Sequence, residues 1–444
     1  MHLRPLLRCG VAGAAVFMAA CAGPSRSYRT SLNSMIAAAD YGGAQTQIQN
    51  LKESEYGKKN AVLYYLDLGM VQHDAGQYKD SDVSLAAAED RMEELFTKSV
   101  SRRAGTFLLN DNTTEYSGEV FERALMNAIR ALNYVFLGST DDALVEARKV
   151  TAYLARFNSF MEGKSGYKDS AFAQYLSGML FEQNGANDDA RICYDAAAGA
   201  YKWYGSDYGT PEPHFGVPAY ADLDRQGLGE VVLLHYNGKA PMKVSRSFQV
   251  AWNEAMIAVN QSGDDEANSN RFRKALNAGL LGSAITVSYP EYVQDPYNIA
   301  ASRISADGFS ADTQLMEDVS AIARRALEDR NAAIKLRAIA RATVKYVLAK
   351  AASDEVEKRA GAGFGLLARM ITSATAAATE TADTRGWTTM PAQIRMARMA
   401  LPPGRHDVTV TFTGRNGEPE GSYTFKDVEV VRGRRTYLHY RTAA

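Results

Sequence analysis

The order of small and aromatic residues between Tyr65 and Ala88 constrains this chain more than any other feature. Tyr65, Leu68, Gly69, Gly76, Tyr78, Ser81, Leu85 and Ala88 follow one another over the length of one helix–turn–helix pair. The reason is steric. Gly69 and Ser81 let two antiparallel helices approach closely, and Gly76 permits the tight turn between them. Tyr65, Leu85 and Ala88 fill the space between neighbouring hairpins. Ala131, Tyr134, Gly138 and Ala143 repeat the pattern, with a turn at Leu137-Gly138-Ser139. Gly178, Phe181, Gly185, Ala190, Tyr194 and Ala197 repeat it again, and a weaker copy surrounds Tyr41 and Ala44. Such a unit cannot bury its apolar face alone, so its copies must stack.

The unit length, about 34 residues, is that of a tetratricopeptide repeat. The turn glycines Gly76, Gly138 and Gly185 are spaced by more than one unit each time, so the array is irregular and carries insertions. One insertion, Phe107 to Gly118, reads as a small hairpin. A generic bundle of helix pairs is the alternative. A stacked array has a concave surface that commonly binds a peptide or a partner protein. In this register, Leu66, Met70, His73 and Asp74 of one unit and Phe172, Tyr175, Met179 and Glu182 of another line that groove.

Beyond the repeats the pattern changes. Gly205, Gly209, Pro211, Pro213, Gly216 and Pro218 break any helix, with Tyr201, Trp203, Tyr204, Tyr208, His214, Phe215 and Tyr220 between them. These rings are either a platform for a sugar or peptide, or the packing of a joint between two domains. Strands are expected at Glu230–Tyr236, before the Asn237-Gly238 turn, and at Ala284–Tyr289, stopped by Pro290. Four more are expected at Ile394–Leu401, Asp407–Thr413, Tyr423–Val430 and Arg435–Arg441. Val408, Val410 and Phe412 alternate with Thr409 and Thr411, the period of a half-buried strand. A helix is expected from Asp312 to Lys350, with a basic face of Arg324, Arg325, Arg330, Lys335, Arg337, Arg341, Lys345 and Lys350. That face either meets an anionic surface or is simply solvated. Gly361 to Ala378 is rich in small residues and contains Arg369, which suits close helix packing better than a membrane span. The expected fold is therefore α+β. A tetratricopeptide-like α-helical solenoid (31–204) leads through an aromatic Gly/Pro linker (205–229) to a mixed domain (230–444) with helices and a small antiparallel β-sheet or sandwich.

Composition narrows the function classes. Hydrophobic residues make up 46% of the 444 and charged residues 23%, which excludes wholesale disorder and a multi-span membrane protein. Lys plus Arg is 50 against 51 Asp plus Glu, so no global field attracts nucleic acid. No catalytic motif stands out, and the six histidines show no metal-ligand spacing. No metal or other cofactor is expected. Ser165-Gly166-Tyr167-Lys168 matches a Ser-x-x-Lys nucleophile motif but lacks its companion Lys-Thr-Gly. Gly361-Ala362-Gly363-Phe364-Gly365 is glycine-rich without a clear preceding strand.

The first residues carry an address. Arg4 and Arg8 precede a short apolar run, Val11 to Ala20, too short to span a bilayer. It ends Met18-Ala19-Ala20-Cys21, which resembles the lipobox of bacterial lipoproteins. That resemblance implies a signal peptide over 1–20, a diacylglycerol on Cys21 and a tether over 21–30. An ordinary secretory signal cut after Ala20 or Ala22 is the alternative. With Cys9 removed and Cys21 lipidated, Cys193 is left alone and no intramolecular disulfide is possible. Ala22, not Asp, follows the cysteine, which implies the periplasmic face of the outer membrane of a Gram-negative bacterium.

Taken together, the motifs resemble a family of uncharacterised bacterial tetratricopeptide-repeat outer-membrane lipoproteins. The pieces that carry the resemblance are Glu122, Asn133-Tyr134 and Val145-Glu146-Ala147-Arg148, then Gly238-Lys239-Ala240-Pro241 with Lys243. Pro290-x-Tyr292, Ala382-Asp383-Thr384-Arg385 with Trp387, and Pro391 complete it. The resemblance implies an envelope location and no established reaction. The expected function is a non-enzymatic, lipid-anchored scaffold or assembly factor that binds envelope proteins through the repeat groove. The alternative is a cell-wall glycan- or peptide-binding protein or enzyme, with Asp222 or Asp224 as candidate acids.

Overall fold

The computed structural model describes residues 23–101, 114–160, 167, 169–251, 284–360 and 382–443. Cys21, residues 107–113 of the insertion, the Ser-x-x-Lys motif apart from Tyr167, and the 361–378 segment lie outside them.

The helices come in pairs. After α1 (Arg26–Ala37) and α2 (Tyr41–Asn50), a short π turn and a 3-10 turn lead into α3 (Ala61–Asp74). Then α3 packs on α4 (Tyr78–Ser101), α5 (Val120–Phe136) on α6 (Thr140–Phe160), and α7 (Ala171–Gln183) on α8 (Asn187–Tyr208). Gly76, Gly138 and Gly185 turn the three pairs with φ of 75°, 76° and 77°. Only glycine adopts that left-handed conformation without strain. Within α5 a capping box closes the first turn, where the Glu122 carboxylate accepts the Glu119 N–H at 2.9 Å.

The β half begins after a short helix α9 (Tyr220–Leu223). Its strands are β1 (Gly229–Asn237), β2 (Met242–Ala251), β3 (Ala284–Val293), β4 (Ile299–Ala306), β5 (Phe309–Asp312) and β6 (Gln314–Glu317). The long helix α10 (Val319–Ala360) follows, then β7 (Gln393–Leu401), β8 (Gly404–Gly414), β9 (Pro419–Val430) and β10 (Arg435–Thr442). A central sheet runs β10-β1-β7-β6, an outer sheet runs β5-β4-β8-β9, and β2 and β3 form a two-stranded ribbon.

Residue pattern explains the layering. The run Val231-Val232-Leu233-Leu234 has no polar alternation, so β1 needs cover on both faces. Val232, Leu234 and Tyr236 join the core that includes Leu66, Met70, Phe172 and Met179 of the helices. Val231 and Leu233 join Ile304, Val408, Val410, Phe412, Val428 and Val430 of the outer sheet. Three layers result: paired helices, central sheet, outer sheet.

Several expectations change. The β1–β10 pair is parallel, Glu230 opposite Arg435 through Asn237 opposite Thr442, because β10 arrives only after the whole β half has been traversed. Pro290 does not stop β3; it lies opposite Ser245 in a ribbon paired on one side, where proline is tolerated. The helix expected from Asp312 starts at Val319 and runs to Ala360, because Gln314–Glu317 pairs with β7 instead. The aromatic segment is no break in packing. Tyr201 and Tyr204 are buried in the same core as Val232 and Trp387. The Tyr201 hydroxyl donates to the Met316 carbonyl at 3.0 Å and ties α8 to β6.

Candidate functional site

The eight residues expected to line an open groove are covered by the chain's own sheet. Leu66, Met70, Phe172 and Met179 are buried beneath it. His73 lies 3.0 Å from the Tyr236 hydroxyl of β1 through Nε2. Asp74 is buried within electrostatic reach of Arg441 on β10. The Tyr175 hydroxyl accepts from Arg398 at 2.8 Å, and the Met179 carbonyl accepts from Arg435 at 2.8 Å. Glu182 binds the same guanidinium at 2.6 Å. Between those arginines sits Glu230, fully buried and bonded to both. The physical reason is the two-sided hydrophobicity of β1, whose inner face takes the surface that a free solenoid would offer a ligand.

The same helical face holds an irregular segment, residues 382–392, with a turn at Thr388-Thr389, that leads into β7. Two buried carboxylates grip its backbone. Glu122 on α5 accepts the Trp387 N–H at 2.8 Å. Asp67 on α3 accepts the Thr388 and Thr389 N–H groups, both at 3.0 Å. The other Asp67 oxygen accepts the Tyr56 hydroxyl at 2.8 Å, and the other Glu122 oxygen the Tyr116 hydroxyl at 2.6 Å. Burial pushes the Asp67 carboxyl up to about 7, against the pull of those hydrogen bonds. Burial, and then the neighbouring Glu119 charge, push Glu122 up as well. Arg385 is bonded to Asp383 through Nε and Nη2 at 2.9 and 2.8 Å and to the Thr114 carbonyl at 2.8 Å. Trp387 is buried, its indole N–H on Thr389 Oγ1 at 2.9 Å.

Beside this strap lies an ion centre. Glu119 accepts Lys243 Nζ and Arg330 Nη2, each at 2.6 Å. Burial opposes its charge, but the two cations hold Glu119 far below the usual carboxylate range. Burial likewise opposes the Lys243 charge, and Glu119 overcomes it, keeping the ammonium well above its ordinary value. Tyr292 sits with its ring centroid 5.4 Å from Lys243 Nζ. The cavity bounded by Arg29, Glu122, Lys243, Tyr292 and Trp387 measures about 10 Å³, room for roughly one water. The arrangement clamps three segments together: strap, ribbon and helices.

Glu122, Lys243, Tyr292, Asp383, Arg385 and Trp387, singled out by motif, thus meet at one place although they are scattered over the chain. Asp67 and Glu119, which were not singled out, and Arg330, expected only on the basic face of the long helix, complete it. Asp67 had a signal: it is an acid inside the apolar run Val62 to Met70. Tyr134 and Glu146 belong instead to a network between α4, α5 and α6. There Arg130 pairs with Asp82 at 2.8 Å, with Glu146 at 3.1 Å and with Glu89.

The remaining candidates separate. Asp222 pairs with Arg225 and Asp224 with Arg432, the latter at 2.8 Å, on the surface. The basic face of α10 is partly turned inward, with Arg330 on Glu119 and Lys335 Nζ 4.3 Å from the centre of the Tyr289 ring. Among the described residues no three His, Cys, Asp or Glu side chains are grouped to hold a metal. No described helix is long and apolar enough to cross a membrane. No family model, curated protein or solved structure matches this chain.

Proposed function

We propose that this chain is a lipid-anchored scaffold of the cell envelope. Cys21 carries the lipid, at the periplasmic face of the outer membrane, and the folded part binds envelope proteins. The helical half is read as a tetratricopeptide-like solenoid of the lipoprotein family that the motifs resemble. Three glycine turns of one conformation and close approaches at equivalent points support that reading. An added Cβ at Gly69 would meet Leu85 at 2.6 Å, and at Gly178 would meet Tyr194 at 2.8 Å. Because the sheet covers the repeat face, the partner surface moves to the open side of the sandwich.

The observation that carries this reading is that open side. β9 ends the outer sheet and β10 ends the central sheet. Between them runs an open groove of about 650 Å³ lined by Tyr423, Phe425, Val428, Val431 and Leu438 and, between these, by Lys426, Glu429 and Thr436. Tyr423 is 43% and Val431 42% exposed. An unpaired edge beside apolar pockets fits an extended segment with apolar side chains at alternate positions, added as a further strand. The occupant assigned is such a segment of an envelope protein.

Crosslinked affinity capture from native membranes tests this, using the full chain, Cys21→Ala and Tyr423→Asp. A discrete set of envelope proteins should be captured by the full chain and lost in Cys21→Ala. Tyr423→Asp should capture less at unchanged thermal stability. Capture indifferent to both substitutions contradicts the reading. Cell-wall fragments retained without any protein would favour the glycan- or peptide-binding alternative.

A further inference from the structure

The helical layer meets the central sheet through two histidines. His73 on α3 and His439 on β10 face each other with ring centroids 4.8 Å apart. Tyr78 of α4, Phe136 of α5 and Tyr236 of β1 enclose them. A directional chain of hydrogen bonds sets the proton on His73. The Ser81 hydroxyl donates to the Gly69 carbonyl at 2.7 Å, so its oxygen accepts the Asn133 amide N–H at 2.8 Å. The Asn133 carbonyl oxygen therefore faces His73 Nδ1, which donates to it at 2.6 Å. Nε2 is then the acceptor of a neutral ring, and the Tyr236 hydroxyl donates to it at 3.0 Å. His439 Nε2 lies 2.9 Å from the Tyr78 hydroxyl, and its buried Nδ1 has no hydrogen-bond partner among the described residues.

Among the described residues no carboxylate bonds either ring. The charged groups around the pair are Asp74 on α3 and Arg441 on β10, with the phenol of Tyr41 on α2 near both. Among the described residues neither Asp74 oxygen has a hydrogen-bond partner, and neither do Nε and Nη1 of Arg441. A proton on His73 would place a second buried cation near Arg441, and a proton on His439 would place one beside His73.

We propose that His73 and His439 form an acid-sensitive latch between the helical layer and the central sheet, closed while both rings are neutral and released when they are protonated. The wiring of His73 supports this, since its second proton reverses the Tyr236 contact that joins the two layers and takes away the acceptor of the Tyr236 hydroxyl proton. Electrostatics point the same way. Burial, then for His73 the nearby Arg441 and for His439 the nearby His73, lower both rings, His73 to about 4. Burial raises Asp74 to about 7, so on acidification its counter-charge is lost before the imidazoles gain theirs.

Amide hydrogen exchange on the full chain from pH 7.5 to pH 4.5, corrected for intrinsic pH dependence, tests the latch. Amides of Tyr437–Arg441 and of the second half of α3 should exchange at least about tenfold faster at acid pH, reversibly and before the outer sheet opens. The double variant His73→Gln, His439→Phe should keep its neutral-pH protection. His235→Gln serves as control, because that buried histidine bonds Ser302 and Thr442 at the sandwich side. It should leave the transition in place. Opening of the double variant at the wild-type pH, abolition of the transition by His235→Gln alone, or no local opening in the wild type would each overturn the proposal. If the double variant does not fold, His439→Gln alone should shift the midpoint to lower pH, and an unshifted midpoint overturns the latch equally.

Discussion

Arg130 illustrates how single residues hold this molecule. It sits on α5, nearly buried, among Asp82 and Glu89 of α4 and Glu146 of α6. Removing one partner of a buried ion pair leaves uncompensated charge, at roughly 3–5 kcal/mol. Arg130→Met is expected to lose about that much in urea unfolding; a loss under about 1 kcal/mol would mean that solvent already compensates the three acids. Glu317 makes the opposite case. It is buried, accepts the Tyr167 and Tyr204 hydroxyls at 3.2 and 3.3 Å, and burial raises it from 4.5 to about 8. A folded value above the unfolded one gives stability that is fully present below the unfolded value and lost as pH rises through the folded one. The loss approaches about 1.4 kcal/mol per pH unit between the two. Glu317→Gln, uncharged, is expected to flatten that decline and to exceed the wild type at pH 9. Parallel stability–pH curves for the two would refute this. Such pairings were only partly legible beforehand. An acid within an apolar run, such as Asp67, signals a buried partner, but its partners are the amides of Thr388 and Thr389, over 300 residues away.

At the scale of elements, what local sterics dictate was readable. The three helix pairs follow from turn glycines and small residues, and β7 to β10 follow from alternation and the turns between. Strand β4 hides because its buried residues, Ile299, Ser302, Ile304 and Ala306, mix apolar with small and polar side chains and do not alternate throughout. β6 hides because its four residues read as the first turn of the helix that follows. The parallel pairing of β10 with β1 depends on residues about 200 apart, so no local pattern encodes it. The close helix contacts give a paired prediction. Gly178→Ala would place its Cβ 2.8 Å from the Tyr194 ring, and overpacking of this kind costs about 1–3 kcal/mol. Gly199 on α8 has nothing within 4 Å of an added Cβ, and alanine is the better helix former by about 1 kcal/mol. Gly199→Ala is therefore expected to raise the melting temperature and Gly178→Ala to lower it. Equal shifts would remove the steric reading of the repeat.

For the whole molecule, the consequence is cooperativity. One hydrophobic core joins Leu32 of α1, Leu66, Phe172, Tyr204, Val232 and Trp387. The helical half and the sandwich should therefore unfold together. Trp387→Ala, which empties a buried indole site, is expected to cost about 3–5 kcal/mol and to shift helical and β signals equally. Helical signal that survives loss of the β signal would mean two independent domains. The family-like motifs could mark Glu122, Lys243, Tyr292, Arg385 and Trp387 separately; that they converge on one clamp is a property of the tertiary fold. That clamp, in which the chain's own strap occupies the face of the helical layer, is tested most directly by amide exchange at Trp387, Thr388 and Thr389. If Glu122 and Asp67 hold those N–H groups, they should exchange only through the opening that exposes α3, with protection equal to that of Leu66 and Met70. Exchange at the rate of a free loop while α3 stays protected would contradict it.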